Sequence, residues 1–195
     1  MSKPDHATQK NGHNKSIRWV VAIFIATIFI SGSISFISEE IMQHSSIFVA
    51  FAILLIIVLI GILFDIIGVA VTSADEKPFH SMAARKVPGS LESIRLLRSA
   101  EKVSSICNDV VGDICGVVSG AASATIAVQI VSKADLQWPD AVALVMSALV
   151  AGLTVGGKAI GKTFAINSCT RIVFSVGKIL YYFGHFHEVF KRNKS

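Results

Sequence analysis

The sequence predicts an all-α membrane protein, built as a bundle of four transmembrane helices with amphipathic juxtamembrane helices. Of its 195 residues, 52% are hydrophobic and only 16% are charged, and the mean hydropathy is +0.64. The apolar residues form long runs, of which Ile47–Leu63 contains no charge and no proline. A bilayer core is crossed by about 20 apolar residues in helical form. Several such runs in one chain are better explained as spans than as buried helices of a soluble protein.

The predicted spans follow one another after a polar segment, residues 1–16, that we expect to be a flexible cytoplasmic N-terminus. The first apolar run is longer than the roughly 7–15 residues of a signal-peptide core, which favours a retained anchor. The transmembrane domain is expected to cover residues 17–184. Its four spans are predicted at about residues 17–37, 47–72, 103–130 and 141–159.

Two amphipathic segments accompany these spans. Residues 90–102 place apolar side chains every three positions, which predicts a surface helix with a narrow apolar face. Residues 162–184 mix basic and aliphatic side chains, which predicts an interfacial helix in the headgroup region. Residues 185–195 are expected to form a basic cytoplasmic tail. The apolar face of the first segment consists of Leu91, Ile94 and Leu97.

The distribution of lysine and arginine predicts the orientation. Four basic residues precede or open the first span, six lie between the second and third spans, and seven follow from Lys158 onward. The other two connections contain only Lys133. Because basic loops stay in the cytoplasm, both termini are predicted to be cytoplasmic in a multi-pass cell-membrane protein. This distribution also accounts for the net charge of +5, so nucleic acid is not an expected partner.

Four polar residues lie within the predicted spans and are candidate metal ligands: Asp65, Asn108, Asp109 and Asp113. Charged residues at membrane depth are costly and often functional. Asp109 and Asp113 are four residues apart and therefore share a helix face. Carboxylate and amide oxygens suit a hard cation such as Mg²⁺. In the alternative interpretation, Asp109 and Asp113 lie in the headgroups or pair with Lys102 or Arg98, and Asp65 pairs with a basic residue of the loop that follows it.

The same face of the third span carries small residues, and small residues let helices approach closely. We therefore predict that Asp109 and Asp113 point into the bundle, where Lys158 and Lys162 could neutralise them. A bound cation would share that role in a transporter.

Glycines recur every four residues in two of the spans. Gly112, Gly116 and Gly120 do so in the third span, and Gly152 and Gly156 do so in the fourth. This spacing predicts close helix packing. The functional alternative is a gap lined by backbone carbonyl groups beside the glycines.

Three short motifs mark the ends of the last three spans. They are Gly68-Val69-Ala70-Val71-Thr72-Ser73 with the basic stretch Ala83–Leu97, then Cys107-Asn108-Asp109-Val110-Val111-Gly112, and finally Gly157-Lys158-Ala159-Ile160-Gly161-Lys162. With these motifs, residues 61–182 resemble the transmembrane domain of the CorB/CorC and cyclin M (CNNM) magnesium transporters. Asn108, Gly157 and Lys162 match the family pattern.

The chain also departs from that pattern. Lys158 replaces an acidic residue of the final motif, Gly161 replaces its proline, and Ala70 stands where the first motif has an acidic residue. A lysine in place of a carboxylate repels a divalent cation, and Asp109 and Asp113 are the residues expected to replace the lost acids. The resemblance implies a short form without the CBS domains, with an additional first span.

Two functions follow from these observations. The first is a divalent-cation (Mg²⁺ or Co²⁺) transporter or transporter-like protein, in which Mg²⁺ is the transported ion and no cofactor is bound tightly. The alternative is a non-transporting membrane scaffold or regulatory subunit. The expected partners are the lipid bilayer and a second copy of the chain, as a homodimer. An enzyme is not expected, because no pairing of a nucleophile with a base is visible.

Overall fold

The protein is described here by a computed structural model that covers residues 6–43, 45–134 and 138–192. Helices make up 92% of the described residues, and the described ranges contain no strand, which confirms the all-α class. The helices are α1 (His6–Gln43), α2 (Ile47–Ser73), α3 (Lys77–Ala84), α4 (Ser90–Arg98), α5 (Ala100–Ser105), a π-helical segment (Ile106–Val111), α6 (Gly112–Ala134), α7 (Pro139–Asn167) and α8 (Cys169–Arg192).

Four of these helical stretches are long and apolar enough to cross a membrane, as a multi-pass membrane protein requires. They are Val21–Met42, Ile47–Ser73, Ala100–Ala134 and Pro139–Asn167. Large apolar side chains point outward from them, including Phe29 (70% exposed), Leu144 (73%) and Ile160 (76%). Such extensive exposed apolar surface is unusual for a soluble monomer, whereas a lipid environment would cover it.

The register between helices follows from glycines that touch their neighbours. A Cβ on Gly61 would lie 2.9 Å from Cys115 Cβ, whereas Gly68 faces Asn108. As residue numbers increase along α2, the numbers of the residues they face on the third span decrease. These two helices are therefore antiparallel. A Cβ on Gly161 would lie 2.8 Å from Ile66 Cγ1.

Because Gly157 and Gly161 face Ile62 and Ile66 in the same order, α7 runs parallel to α2. At the opposite end of the bundle, the side-chain amide of Gln129 donates a hydrogen bond to the carbonyl oxygen of Met42 at 2.6 Å. The bundle is therefore up-down-up-down. We call the end where α2 and α7 finish and α5 begins the basic end.

Two apolar clusters hold this arrangement together. The first joins α1, α2, α6 and α7 through Met42, Ala50, Leu54, Val58, Ala122, Ile126, Ala127, Met146 and Val150. The second lies at the basic end and joins α2, α3, α4, α7 and α8 through Ala70, Val71, Phe79, Ile94, Leu97, Ala165 and Val173. Burial of Phe79, which is 0% exposed, contributes about 1.5–3 kcal/mol. Helices α3, α4 and α8 thus form a packed platform at the basic end.

The platform depends on a close crossing of α4 and α8. Gly89 precedes α4 with φ 88°, in the left-handed region that favours glycine. A Cβ on Gly89 would lie 2.7 Å from the backbone nitrogen of Lys178, and one on Gly177 would lie 2.6 Å from the Gly89 carbonyl oxygen. The Ser93 hydroxyl donates to the carbonyl oxygens of Gly89 at 2.8 Å and Val173 at 3.3 Å. The two backbones therefore approach closely, with the small Ser93 hydroxyl packed between them.

Several helix boundaries differ from those predicted. Helix α1 begins at His6, so residues 6–16 are helical rather than a flexible segment. Helix α7 continues to Asn167 and ends there, because Ser168 has a non-helical φ of −120°. The interfacial helix predicted at 162–184 therefore begins only at Cys169, as α8. The predicted surface helix 90–102 ends at Arg98, and its Leu91 is 58% exposed instead of belonging to the buried face.

Candidate cation site

The third span contains a widened turn where the candidate ligands lie. Residues Ile106–Val111 form a π-helical segment within the continuous stretch from Ala100 to Ala134, and the Gly112 N–H donates to the Cys107 carbonyl oxygen, five residues back. Such segments interrupt α-helices rarely and frequently coincide with functional sites. The inserted residue changes which side chains face α2. No feature of the sequence analysis predicted it.

Asn108 lies in this π segment and packs against the backbone of α2 at Gly68. A Cβ on Gly68 would lie 2.8 Å from Asn108 Cγ and would overlap its Oδ1. Asn108 Nδ2 donates to Ser104 Oγ at 3.1 Å. The buried Oδ1 accepts no hydrogen bond from the described residues. An amide oxygen is thus held against α2 as an unused acceptor.

Asp65 lies one turn before Gly68 on α2 and is 4% exposed. Its Oδ2 atom is buried and has no hydrogen-bond donor among the described residues. The nearest cation is Lys162 on α7, whose Nζ lies 4.0 Å from this oxygen. That distance exceeds the roughly 2.7–2.9 Å of a charge-assisted hydrogen bond. The positive charge of the Lys162 ammonium therefore offsets the negative charge of the Asp65 carboxylate, but the ammonium does not donate a hydrogen bond to Oδ2.

Lys158 reaches the same level of the bundle from one turn earlier on α7. Its Nζ would lie 3.3 Å from a Cβ placed on Gly112, which directly follows the π segment. The amine therefore lies against the backbone of the third span. Near the basic end of the bundle, Lys162 therefore lies 4.0 Å from the buried Asp65 carboxylate, and Lys158 lies against the third span at Gly112.

The prediction that Asp109 and Asp113 point into the bundle is wrong, because both side chains are exposed. Asp109 Oδ2 accepts a hydrogen bond from Ser105 Oγ at 2.8 Å, and Lys162 pairs with Asp65 instead. The physical reason is that other residues of the third span form its packed face, which leaves Asp109 and Asp113 outside that face. That face carries Ile114, Val118, Ala122 and Ile126, each buried.

Most of the glycines that recur every four residues in the third and fourth spans also lie away from the packed faces of their helices. A Cβ on Gly116, Gly120, Gly152 or Gly156 would meet nothing within 4 Å, whereas one on Gly112 would approach Lys158. These four glycines therefore pack against no helix in the part of the chain that the structure describes, and contact with a second copy stays a prediction. Glycines that do pack closely on a neighbouring helix are Gly61, Gly68, Gly89, Gly157, Gly161 and Gly177.

Asp65 and Asn108 offer hard oxygen ligands for a metal ion, but few of them. Within residues 6–43, 45–134 and 138–192, no three His, Cys, Asp or Glu side chains are close enough to hold a metal ion. A cation at Asp65 would therefore complete its shell with Asn108 Oδ1, backbone carbonyl groups or water, as Mg²⁺ does in proteins. Sequence reasoning selected both residues, but it did not pair Asp65 with Lys162.

No protein-family model, curated protein or solved structure matches the chain. The resemblance to the CorB/CorC and cyclin M family therefore rests on the short motifs alone.

Proposed function

We propose that the chain is a multi-pass cell-membrane protein with cytoplasmic termini that transports a divalent cation, Mg²⁺ or Co²⁺, through a site at Asp65 and Asn108. The observation that carries the proposal is the buried Asp65 carboxylate, whose Oδ2 accepts no hydrogen bond from any residue that the structure describes. A buried acceptor without a donor costs about 1–3 kcal/mol, and more when it is charged. A bound cation with its water shell would supply the missing partner.

A second residue near Asp65 supports cation binding. Asn108 Oδ1 is also a buried acceptor without a donor among the described residues, and it packs one helical turn away, at Gly68. Neutral amide and anionic carboxylate oxygens are both hard ligands, and hard ligands favour Mg²⁺ over softer metals. Asp109 and Asp113 are not among the proposed ligands, because both are exposed.

The depth of Asp65 favours access from the cytoplasm. Along α2, Asp65 lies about 27 Å from Ile47, at about 1.5 Å per residue. The hydrocarbon core is about 30 Å thick, so the carboxylate lies close to the inner boundary. An ion would reach it from the basic end, which is cytoplasmic under the predicted orientation.

Flux into proteoliposomes tests this function. We expect vesicles containing the purified full chain to take up Mg²⁺ or Co²⁺ faster than empty vesicles. Asp65→Asn should lower that flux about tenfold or more, because it removes the buried negative charge at the site. Asp113→Asn makes the same chemical change at an exposed position and should stay within about twofold of the unchanged protein. Flux equal to that of empty vesicles would refute transport.

Equal losses in the Asp65→Asn and Asp113→Asn proteins would refute the proposed site but not transport. The comparison is informative because both variants lose one negative charge on a spanning helix, and only one of these charges is buried.

A non-transporting scaffold or regulatory subunit is the second candidate function. Lys158 and Lys162 bring two positive charges near the site, which disfavours a free cation. The outward-facing glycines on α6 and α7 offer a surface for another transmembrane helix. This function predicts that a cysteine at Gly120 cross-links two copies in native membranes, whereas one at the buried Val118 does not. Recovery of monomers only, with no stable partner, would count against it.

A further inference from the structure

Lys162 and Asp65 differ sharply in accessibility. The Asp65 side chain is 6% exposed, whereas the Lys162 side chain is 53% exposed. The carboxylate is therefore enclosed by protein, and the ammonium approaches it from the open edge of the bundle. A mobile cation entering from that edge would meet Lys162 before it met Asp65.

The backbone next to Lys162 packs against α2, whereas the Lys162 side chain is half exposed. The preceding residue, Gly161, packs directly on α2, where a Cβ would lie 2.8 Å from Ile66 Cγ1. This contact holds α7 beside the turn of α2 that carries Asp65. A lysine ammonium sits on a flexible four-carbon stem, and no hydrogen bond ties it to Asp65 Oδ2. The ammonium can therefore leave the carboxylate without any helix moving.

We propose that the Lys162 ammonium is a tethered cation that neutralises Asp65 when no ion is bound, and that a divalent cation reaches Asp65 only by displacing it. The inference rests on the proposed function, because it concerns the same site. A monovalent ion offers Asp65 no more charge than the ammonium already does. A divalent ion offers twice the charge at similar distance, so only the divalent ion gains electrostatically from the exchange. Lys162 thus selects divalent over monovalent cations and lowers the affinity for both.

Mg²⁺ titration of the purified full chain in lipid nanodiscs tests this exchange, with binding heat and thermal stability as readouts. Lys162→Met removes the charge and keeps the length of the side chain. We expect this variant to bind Mg²⁺ about tenfold more tightly or better, a change of about 1.4 kcal/mol. It should also respond to Na⁺, because no internal cation now competes. Adding Asp65→Asn to Lys162→Met should abolish the gain.

Two controls separate displacement from general charge effects. Lys133→Met removes an exposed lysine at the opposite end of the bundle and should leave Mg²⁺ affinity unchanged. Lys162→Arg keeps the charge and offers a fork that holds a carboxylate more firmly, so its Mg²⁺ affinity should be at or below that of the unchanged protein.

Stability without Mg²⁺ provides a second signal. Lys162→Met leaves Asp65 without its counter-charge, and an unpaired buried charge is destabilising. Its melting temperature should therefore fall in the absence of Mg²⁺ and recover when Mg²⁺ is added. If this variant does not fold, Lys162→Gln, which removes the charge but keeps a hydrogen-bond donor, is measured in the same way.

The outcomes distinguish the inference from the function on which it rests. Mg²⁺ flux with equal Mg²⁺ affinity in the unchanged protein and the Lys162→Met variant would overturn the tethered-cation inference alone. A gain in affinity on Lys162→Met without flux in the unchanged protein would support the inference and refute transport. Absence of Mg²⁺ binding in every variant would overturn both.

Discussion

Gly68→Ala provides a sharp test of how α2 and the π segment fit together. A methyl group at this position would overlap Asn108 Oδ1 and lie 2.8 Å from its Cγ and 3.0 Å from its Nδ2. All three atoms belong to one short side chain, which is itself bonded to Ser104. To avoid the methyl group, Asn108 would have to change its rotamer and lose its hydrogen bond to Ser104, or the two helices would have to move apart.

The expected magnitude is the balance of two terms. Overpacking a well-filled site costs about 1–3 kcal/mol, whereas replacing a helical glycine by alanine gains about 0.5–1 kcal/mol. We therefore expect Gly68→Ala to lower the free energy of unfolding by about 0–2.5 kcal/mol. Gly116→Ala is the matched control, because its methyl group would meet nothing within 4 Å. It should be neutral or slightly stabilising.

Reversible unfolding in mixed micelles, followed by circular dichroism, measures both variants. A double-mutant cycle identifies the clash: Asn108→Ala should reduce the cost of Gly68→Ala, with a coupling energy of about 1–2 kcal/mol. If Gly68→Ala is as stable as Gly116→Ala, or if the two substitutions are additive, the described contact between Gly68 and Asn108 is refuted.

Two further predictions concern the platform and the orientation. Gly177→Ala should lower the free energy of unfolding by about 1–3 kcal/mol in the same assay, because its Cβ would lie 2.6 Å from the Gly89 carbonyl oxygen. Gly184→Ala is the control and should not lower it, because a Cβ on Gly184 would meet nothing within 4 Å. Equal effects of the two substitutions would contradict the α4–α8 crossing. In a background with the native cysteines replaced by alanine, a cysteine at the exposed Ser46 should react with an impermeant maleimide on intact cells, whereas one at the exposed Arg85 should react only after lysis. The reverse pattern would overturn the predicted orientation.

Part of this protein was predictable because it depends on local sequence. A run such as Ile47–Leu63 contains enough consecutive apolar residues to cross a bilayer as a helix, so the existence of α2 needs no tertiary information. The same reasoning identified Asp65 and Asn108, because a polar residue inside such a run stands out. Helix ends were less predictable, as α7 shows by continuing to Asn167, since nothing in its composition marks Ser168 as the break.

The direction in which each polar side chain points was decided only by the tertiary structure. Lipid is as apolar as a leucine-rich helix face, so hydrophobic periodicity does not distinguish the packed face of a spanning helix from its lipid face. Asp109 and Asp113 were therefore assigned to the wrong side of the third span. The π segment adds a residue to one turn and sets Asn108 over Gly68, a register that no local pattern encodes. The pairing of Asp65 with Lys162 likewise exists only because α2 and α7 run parallel and pack through Gly161.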